Sequence, residues 1–555
     1  MNFLLVLISA LLYVMSFPLW DLSFLAFFAL VPLFWAVEGA RSPVRAMSLG
    51  GLWGAFISIG LGYWLFPTLI QHFNIWPPKA VLFFLLCVAA PSALIYGGLI
   101  AIYRFAHHRH LAWYAIVLPS IWTLAEYLKE IVPVFLPWGA IGYGVLPFYR
   151  FVQIVDLGGV HGLTFLMVMI NALLWRLWQG IGEKTTGIGM PAEHPGPIFS
   201  KKPSMPLAGT AVLVVLAVIV PVIYGTIRIQ MIEDGRRHAL SAHSPVRAVI
   251  VQGNYTLHER WSGMGFYHRL KTYLEMSTKN DETSIRQHNG EEAKSLSGAD
   301  TQDTEQSRGG GGRVIVWPET TLNAPAQLDE HLFRQIMEFI GEDTLLISGG
   351  LMEDDATGAP MNSAYLISGR GMLTRYDKNI LLPYAETSLM FDWLGRYYTA
   401  PSEFTPGRTP SFLDTPHGGV GVSICFEILY PRYIARSVAN GADFLVNLSN
   451  DGWFGDTAMP RMHLNAARMR AMENRRFLLR AANNGISAII GPDGRVRSQT
   501  GLFRQQRIEG DFDYLDIAAP YTRFGEWLII FSALALGAAL LRIITDRPSS
   551  LKMMR

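Results

Sequence analysis

The chain has 555 residues, and its 46 Lys and Arg nearly balance its 44 Asp and Glu. Only 16% of the residues are charged and 50% are apolar, whereas a soluble domain has roughly 25% charged residues. We therefore expect neither a single soluble domain nor a nucleic-acid partner, because binding nucleic acid needs a concentrated basic face.

The charges are unevenly distributed along the chain. Residues 1–226 carry 11 Lys or Arg and 7 Asp or Glu, about 8% of that segment, and the remainder is close to the soluble average. Apolar stretches lie at about 2–19, 22–38, 47–70, 80–103, 111–128, 157–178, 207–227 and 526–544. Each is near the roughly 20 residues that cross a bilayer. We predict seven transmembrane helices in 1–227, an eighth at 526–544 and a tail at 545–555.

The loop charges predict an orientation, since Lys and Arg resist translocation. With the N-terminus in the cytoplasm, the inner segments carry 12 Lys or Arg and the short outer connections carry 3. Both termini are therefore predicted to be cytoplasmic, with the polar segment 245–520 outside. Arg228, Arg236 and Arg237, directly after the seventh stretch, count against this orientation.

The polar segment alternates short β-branched runs with helical spacing. Strands are predicted at 246–251, 313–317, 344–348, 420–424 and 442–446, and helices at 328–341 and 459–477. This alternation indicates an α/β or α+β domain. Residues 279–312 are rich in Ser, Gln, Glu, Asp and Gly, which predicts a disordered insertion.

Three reactive side chains follow predicted strands, where α/β folds expose their sites. They are Glu319 after Trp-Pro, Lys378 after Tyr-Asp and Cys425 after Ser-Ile. Taken singly, each also has a purely structural interpretation. Glu319 could be an acid at a helix end, Lys378 a solvated charge and Cys425 a small buried apolar residue. Together they supply a nucleophile, a proton acceptor and a cation for an oxyanion, which acyl chemistry by a thiol requires.

The order of these motifs resembles the Glu-Lys-Cys triad of the nitrilase and amidase superfamily, and its membrane-bound branch, the apolipoprotein N-acyltransferases. Segments 251–254, 447–455, 470–473 and 480–485 also match. The resemblance covers nearly the whole chain. It implies eight transmembrane helices in a bacterial inner membrane, with a periplasmic αββα-sandwich domain before the last. Phe426 is a departure, because the family more often has Tyr there.

The resemblance implies that Cys425 is the nucleophile, Glu319 the general base and Lys378 the cation that stabilises thiolate and oxyanion. Glu386 and Glu427 would hold Lys378 and order the pocket, and the alternative is a surface pair. No metal or cofactor is expected.

Three further residues are candidates for substrate binding. Trp261 and Trp453 would line an acyl slot or gate access to it, although packing in a core is an equal alternative. Asn450 would orient the pocket through its amide, although a turn role is equally compatible.

The implied reaction has two lipid-anchored substrates. Cys425 would take an acyl chain from a phospholipid, typically phosphatidylethanolamine, and pass it to the amine of a diacylglyceryl-cysteine on an apolipoprotein. One rival is a membrane-tethered amidase that hydrolyses a small soluble amide. The other is a transporter-like or scaffold protein. A transport pathway would place charges in the middle of the membrane, but the few charges of the predicted helices lie mostly near the helix ends.

The orientation is testable with a reporter fused after residue 300. We expect its signal outside the cytoplasm, because the inner segments carry the excess of Lys and Arg. A cytoplasmic signal would reverse the charge argument.

Overall fold

The computed structural model describes residues 1–106, 112–132, 137–186, 207–242, 244–256, 259, 265–278, 312–322, 330–354, 357–383, 385–387, 404–408 and 411–545. The predicted insertion therefore lies outside the described residues except for Gly312, as do Trp261 and residues 546–555 of the predicted tail.

The N-terminal part is helical. Its helices are α1 (Asn2–Met15), α2 (Val31–Glu38), α3 (Pro43–Gly62), α4 (Leu65–Pro67), α5 (Pro77–Phe84), α6 (Ala90–Ala106), α7 (Leu118–Ile131), α8 (Ile141–Gly144), α9 (Val155–Thr186) and α10 (Leu207–Ala242). Short 3-10 or π turns lie at Ser23–Phe27, Thr68–His72, Leu85–Ala89, Trp113–Val117 and Phe151–Ile154. Helix α9 is kinked at Gly158 and Gly159.

Among the described residues, four helical segments are long and apolar enough to cross a membrane. They are Pro43–Gly62, Pro77–Arg104, Phe151–Ile181 and Leu207–Ser241, and shorter apolar helices span Asn2–Met15, Ser23–Glu38 and Trp527–Arg542. Within the described parts of the chain, apolar helices therefore lie in seven of the eight predicted stretches, and four of these helices are long enough to cross a membrane. The number of crossings remains a prediction.

The described residues between 246 and 512 form two six-stranded sheets. The strands are β1 (Val246–Gln252), β2 (Arg313–Leu322), β3 (Thr344–Glu353), β4 (Pro360–Ser368), β5 (Gly371–Asp377), β6 (Phe412–Leu413), β7 (Val420–Ile424), β8 (Phe444–Ser449), β9 (Leu478–Ala482), β10 (Ala488–Ile490), β11 (Val496–Gln499) and β12 (Gln506–Phe512). One sheet has the order β12-β1-β2-β3-β4-β5 and the other β11-β10-β9-β8-β7-β6. All five predicted strands are present.

The later helices flank these sheets or return to the membrane side. They are α11 (Phe266–Thr278), α12 (Glu330–Ile340), α13 (Pro431–Ala439), α14 (Met459–Asn474), α15 (Pro520–Phe524) and α16 (Trp527–Thr545). Both predicted helices of the polar segment are therefore present, as α12 and α14.

Alternating side chains of the strands enter two different cores, because successive residues of a strand face opposite ways. In β1, Ala248 and Ile250 join the core between the two sheets, whereas Val249 and Val251 pack with Leu270 of α11 on the other face. With α13 and α14 on the outer face of the second sheet, the domain is an αββα sandwich. The αββα sandwich implied by the resemblance is thereby confirmed.

Ion pairs, two of them buried, join α9, α10 and the sandwich. Asp156 at the start of α9 accepts from the Nε atoms of Arg228 on α10, at 2.7 Å, and of Arg475 after α14, at 2.9 Å. Arg236, farther along α10, pairs with Asp513 at 3.0 Å. Arg228 and Arg236 are thus held by tertiary partners.

Helix α14 is hydrogen bonded to the N-terminal helical part at both of its ends. At its start, the N–H of Ala458 donates to the hydroxyl of Tyr63, at 3.0 Å. Near its end, Glu473 accepts from the N–H of Val160 on α9, at 2.7 Å. The helical part therefore sets the position of α14.

Arg475→Met tests how much the buried ion pairs stabilise the protein. Removing one partner leaves buried charge poorly compensated, which costs about 3–5 kcal/mol. The matched control is Arg247→Met, because Arg247 pairs with Glu509 but is 52% exposed, and such pairs contribute about 1 kcal/mol or less. The measurement is thermal unfolding in detergent. An equal loss of Tm in both variants would show that the buried pair stabilises the protein no more than the exposed pair does.

Candidate active site

Cys425 occupies a sharp turn directly after β7. It begins the 3-10 turn Cys425–Leu429, and its φ of 51° lies in the left-handed region that residues other than Gly rarely adopt. Such a conformation costs on the order of 1–3 kcal/mol and persists only when its surroundings enforce it. The side chain is 7% exposed. The turn thus presents a thiol at the edge of the second sheet.

Glu319 lies in β2, where the pairing with β3 is interrupted. The register shifts between Trp317 and Leu322, and Thr320 has a φ of 51°. Gly349 of β3 permits this close approach, because a Cβ there would lie 2.5 Å from the Cα of Glu319. Glu319 is 7% exposed. The irregular strand therefore places a carboxylate in the interior.

Lys378 follows β5 and is 1% exposed. Its Nζ donates to Oε2 of Glu386 at 2.7 Å. Burial would lower the pKa of Lys378, but the negative charge of Glu386, with that of Glu319, outweighs burial and holds the pKa above its usual value. Lys378 is consequently an ammonium cation in the resting site.

The same charges act on the thiol. Burial and then the charge of Glu319 raise the pKa of Cys425, while Lys378 lowers it by less than these raise it. The three predicted triad residues are therefore within electrostatic range of one another. Because the thiol is protonated at rest, it needs a base to take its proton when it attacks.

Asn362 on β4 connects two carboxylates of the site and was not predicted. Its Nδ2 donates to Oε1 of Glu319 at 2.7 Å and to Oε1 of Glu386 at 3.0 Å. Its backbone carbonyl accepts from the N–H of Lys378 at 2.8 Å. Asn362 thus places the carboxylates relative to the ammonium. No local signal in the sequence marks this role, because Asn362 and Ser363 simply precede the apolar run Ala364–Ile367.

Glu427 is fully buried and holds the backbone of two segments. Its carboxylate accepts from the N–H of Ile424 at 2.8 Å, of Asn379 at 2.7 Å and of Ile380 at 3.0 Å. It also accepts from the hydroxyl of Tyr376 at 2.7 Å. Glu427 thereby joins the turn of Cys425 to the residues after Lys378. Neither Glu386 nor Glu427 belongs to a surface pair.

A second buried polar cluster lies behind Cys425. His463 on α14 contacts the carbonyl oxygen of Cys425 through Nε2, at 3.1 Å, and Oδ1 of Asp451 through Nδ1, at 3.0 Å. Arg480 donates to Oδ2 of Asp451 at 2.7 Å. Burial and then the charge of Arg480 lower the pKa of His463. The sequence offered little sign of this cluster, because nothing near His463 points to Asp451 or Arg480 as its partners.

Phe426 packs toward the N-terminal helical part. Its ring centroid lies 6.1 Å from that of Trp138 and 5.4 Å from that of Tyr430. The ring centroid of Trp138 in turn lies 5.8 Å from that of Trp64, directly before α4. The residue after Cys425 therefore contacts the helical part through aromatic rings, and such a contact needs no hydroxyl group.

The candidates for substrate binding are placed as follows. The ring of Trp453 stacks on Phe73 with centroids 5.5 Å apart, and its carbonyl accepts from Thr68 at 2.7 Å. Asn450 is buried and accepts from Asn483 at 3.4 Å, as expected of a turn residue. Trp261 lies outside the described residues.

A cavity of about 70 Å³ lies among the N-terminal helices, next to the rings of Trp64 and Trp138. Its lining is mostly apolar and includes Ile57 and Leu61 of α3, Ile95 of α6, and Trp138. Lys129, also in the lining, pairs with Glu126 at 2.7 Å. Only the indole ring of Trp138 therefore separates this cavity from Phe426.

Comparison with known proteins finds two family models. Residues 9–173 match the apolipoprotein N-acyltransferase N-terminal domain, and residues 269–519 match the carbon-nitrogen hydrolases. The apolipoprotein N-acyltransferase of Geobacter metallireducens is 26% identical over 99% of this chain and 96% of its own length. That of Allorhizobium ampelinum is 29% identical over 93% of this chain and 90% of its own length. Nit3 of Saccharomyces cerevisiae, of the nitrilase superfamily, is 16% identical with a TM-score of 0.34, covering 48% of this chain and 90% of Nit3.

The ionisation of Glu427 predicts a dependence of stability on pH. Burial raises the pKa of Glu427 from 4.5 to about 7. The folded protein thus binds this proton more tightly than the unfolded chain does, so the stabilisation is complete below about pH 4.5 and is lost as the pH rises through about 7.

Glu427→Gln lacks this titration. We expect the Tm of the variant minus that of the wild type to increase between about pH 5 and pH 8, by about 2 °C or more. Glu353→Gln, at an exposed position of β3, is the control and should give a constant difference. A constant difference for Glu427→Gln as well would refute the raised pKa.

Proposed function

Because the chain belongs to the apolipoprotein N-acyltransferase family, we propose that it transfers a fatty acyl chain from a membrane phospholipid to the amine of an apolipoprotein, through a thioester on Cys425. The acceptor amine is that of the N-terminal diacylglyceryl-cysteine. Phosphatidylethanolamine is the proposed donor.

The contact of the nucleophile's turn with the helical part is the observation that carries this proposal. Phe426 faces Trp138, and Trp138 lines the apolar cavity among the membrane-side helices. Trp453, which follows β8, stacks on Phe73 between α4 and α5. An enzyme for a small soluble amide has no need of such contacts, whereas both substrates of the proposed reaction are held in lipid.

In the first half-reaction, the thiol of Cys425 attacks the sn-1 ester carbonyl and its proton moves to Glu319. The carbonyl oxygen becomes an oxyanion, which the ammonium of Lys378 stabilises. The C–O bond then breaks, the leaving alkoxide takes the proton from Glu319, and a lysophospholipid departs. The acyl chain remains on Cys425 as a thioester.

In the second half-reaction, the α-amine of the apolipoprotein attacks the thioester. Glu319 takes a proton from the amine and returns it to the sulfur as the C–S bond breaks, so an amide forms and the thiol is restored. Water must be kept from the thioester, since hydrolysis would release the chain as a free fatty acid. The burial of Cys425 and Lys378 suits that requirement.

Glu386, Asn362 and Glu427 support the reacting groups. Glu386 holds the ammonium of Lys378, and Asn362 holds Glu386 and Glu319 together. Glu427 fixes the backbone around Cys425 and after Lys378. Trp453 is proposed to border the path of the acyl chain, as Trp261 would, whereas Asn450 supports the turn that carries Trp453.

The proposal includes a membrane arrangement. Residues 1–227 would form seven crossings and 526–544 an eighth, in the inner membrane of a bacterium, with both termini in the cytoplasm. The segment 245–520 would then be periplasmic, which is the side on which exported apolipoproteins meet the membrane. The inner excess of Lys and Arg supports this arrangement.

Intact mass spectrometry of protein purified from membranes tests the mechanism. We expect an increment of one fatty acyl chain that hydroxylamine removes, and its absence in Cys425→Ala. Cys425→Ser should likewise lose turnover, because a hydroxyl is a poorer nucleophile at this site. Cys87→Ser is the control and should keep the increment, since Cys87 lies between α5 and α6.

Two results would count against the proposal. An increment that persists in Cys425→Ala would place the acyl chain elsewhere. No increment in the wild type after phospholipid is added, together with turnover of a small amide such as acetamide by the full chain, would favour the amidase alternative.

A further inference from the structure

We propose that His463 is a positioning residue that orients the peptide unit between Cys425 and Phe426, so that the N–H of Phe426 points at the oxyanion of the reacting acyl group. The inference rests on the proposed acyl transfer, in which His463 has no chemical step. His463 is 1% exposed on α14, and its Nε2 lies 3.1 Å from the carbonyl oxygen of Cys425.

The proton on Nε2 follows from the partners of the ring. A carbonyl oxygen can only accept, so the nitrogen that faces Cys425 must donate. The other nitrogen, Nδ1, lies 3.0 Å from Oδ1 of Asp451 and 3.2 Å from a guanidinium nitrogen of Arg480. It can donate to Asp451 when the ring is charged, or accept from Arg480 when the ring is neutral. In both states, Nε2 donates to Cys425.

Holding this carbonyl also fixes an N–H group. In a trans peptide, the C=O and the N–H of the following residue point in opposite directions, and the chain has no cis peptide bonds among its described residues. A hydrogen bond from His463 to the carbonyl of Cys425 therefore directs the N–H of Phe426 to the opposite side. That N–H lies at the start of the 3-10 turn Cys425–Leu429, where N–H groups have no partner within the turn.

The direction matches the requirement of the reaction. In a nucleophile on a sharp strand-to-helix turn, the N–H of the following residue is positioned to stabilise the oxyanion. The left-handed conformation of Cys425, with φ 51°, gives this turn its shape. Because that conformation is intrinsically unfavourable, the peptide unit depends on external contacts to keep its orientation.

His463 is itself rigidly held. Asp451 accepts from the hydroxyl of Ser449 at 2.8 Å and from Arg480 at 2.7 Å. Arg480 also donates to Oδ1 of Asn447. These residues are fully buried on or next to β8 and β9. The two central strands of the second sheet thus fix the imidazole that fixes the turn.

His463 is not the base for the thiol. Its Nε2 faces the backbone oxygen of Cys425, and its Nδ1 faces Asp451 and Arg480. Loss of the imidazole should therefore weaken stabilisation of the oxyanion while leaving the supply of thiolate intact. This separation makes the role distinguishable from a general contribution to folding.

The test compares His463→Gln with His463→Asn in a Cys87→Ser background. A Gln amide nitrogen can reach the position of Nε2 and donate to Cys425, whereas an Asn amide ends near Nδ1 and reaches only the Asp451 side. Two rates are measured on the full chain in detergent with added phosphatidylethanolamine: thioester formation, and alkylation of Cys425 by iodoacetamide. Alkylation displaces iodide from a saturated carbon and forms no oxyanion.

For His463→Asn we expect thioester formation to slow by about 100-fold or more, the usual loss when an oxyanion donor is removed, with alkylation within about twofold of the wild type. For His463→Gln we expect thioester formation within about tenfold of the wild type.

The inference is overturned if both variants form the thioester equally fast, or if alkylation slows in parallel with acylation. Should His463→Asn fail to fold, His463→Gln still decides, since a loss of about 100-fold there with normal alkylation contradicts the donor role. Failure of the wild type to form a thioester would instead refute the proposed function, and this inference with it.

Discussion

The buried ammonium of Lys378 is the constraint on which the site depends. A charge in the interior is tolerated only when it is paired and its partners are hydrogen bonded in turn. Glu386 provides the pairing carboxylate, and Asn362 extends the network by holding Glu386 and Glu319 through one amide nitrogen. A reaction through an oxyanion needs a cation that is already in place, since rearrangement during the reaction would raise the barrier. The same contacts that make Lys378 tolerable therefore make it useful.

The turn at Cys425 poses a complementary problem, because its backbone is unfavourable without support. Glu427 holds it through the N–H of Ile424, and His463 contacts the carbonyl of Cys425 from α14. One support belongs to the turn itself and the other comes from a helix. The geometry of the turn at Cys425 thus depends on both the sandwich and the packing of α14 against the N-terminal helices.

Much of this could be predicted from the sequence, for identifiable reasons. The strands before Glu319 and Cys425 are apolar runs of the kind that buried strands require, and the order of the three reactive residues is specific in combination. Tertiary pairing could not be predicted. The cation Arg228 counted against the orientation, yet in the fold it is bound to Asp156. Asn362 and His463 were missed because nothing local marks a residue whose partners lie far away in sequence.

Helix α14 carries His463 in its middle and is fastened to Tyr63 before its start and to Val160 near its end. Both partners belong to the part of the chain that the ribosome completes first, and domains generally fold in that order during synthesis. The surface that receives α14 is therefore available before the turn at Cys425 can form. Biogenesis then has a built-in sequence: a chain whose early helices fail to insert lacks the contacts that position α14, and with it the support that His463 gives to the turn of Cys425.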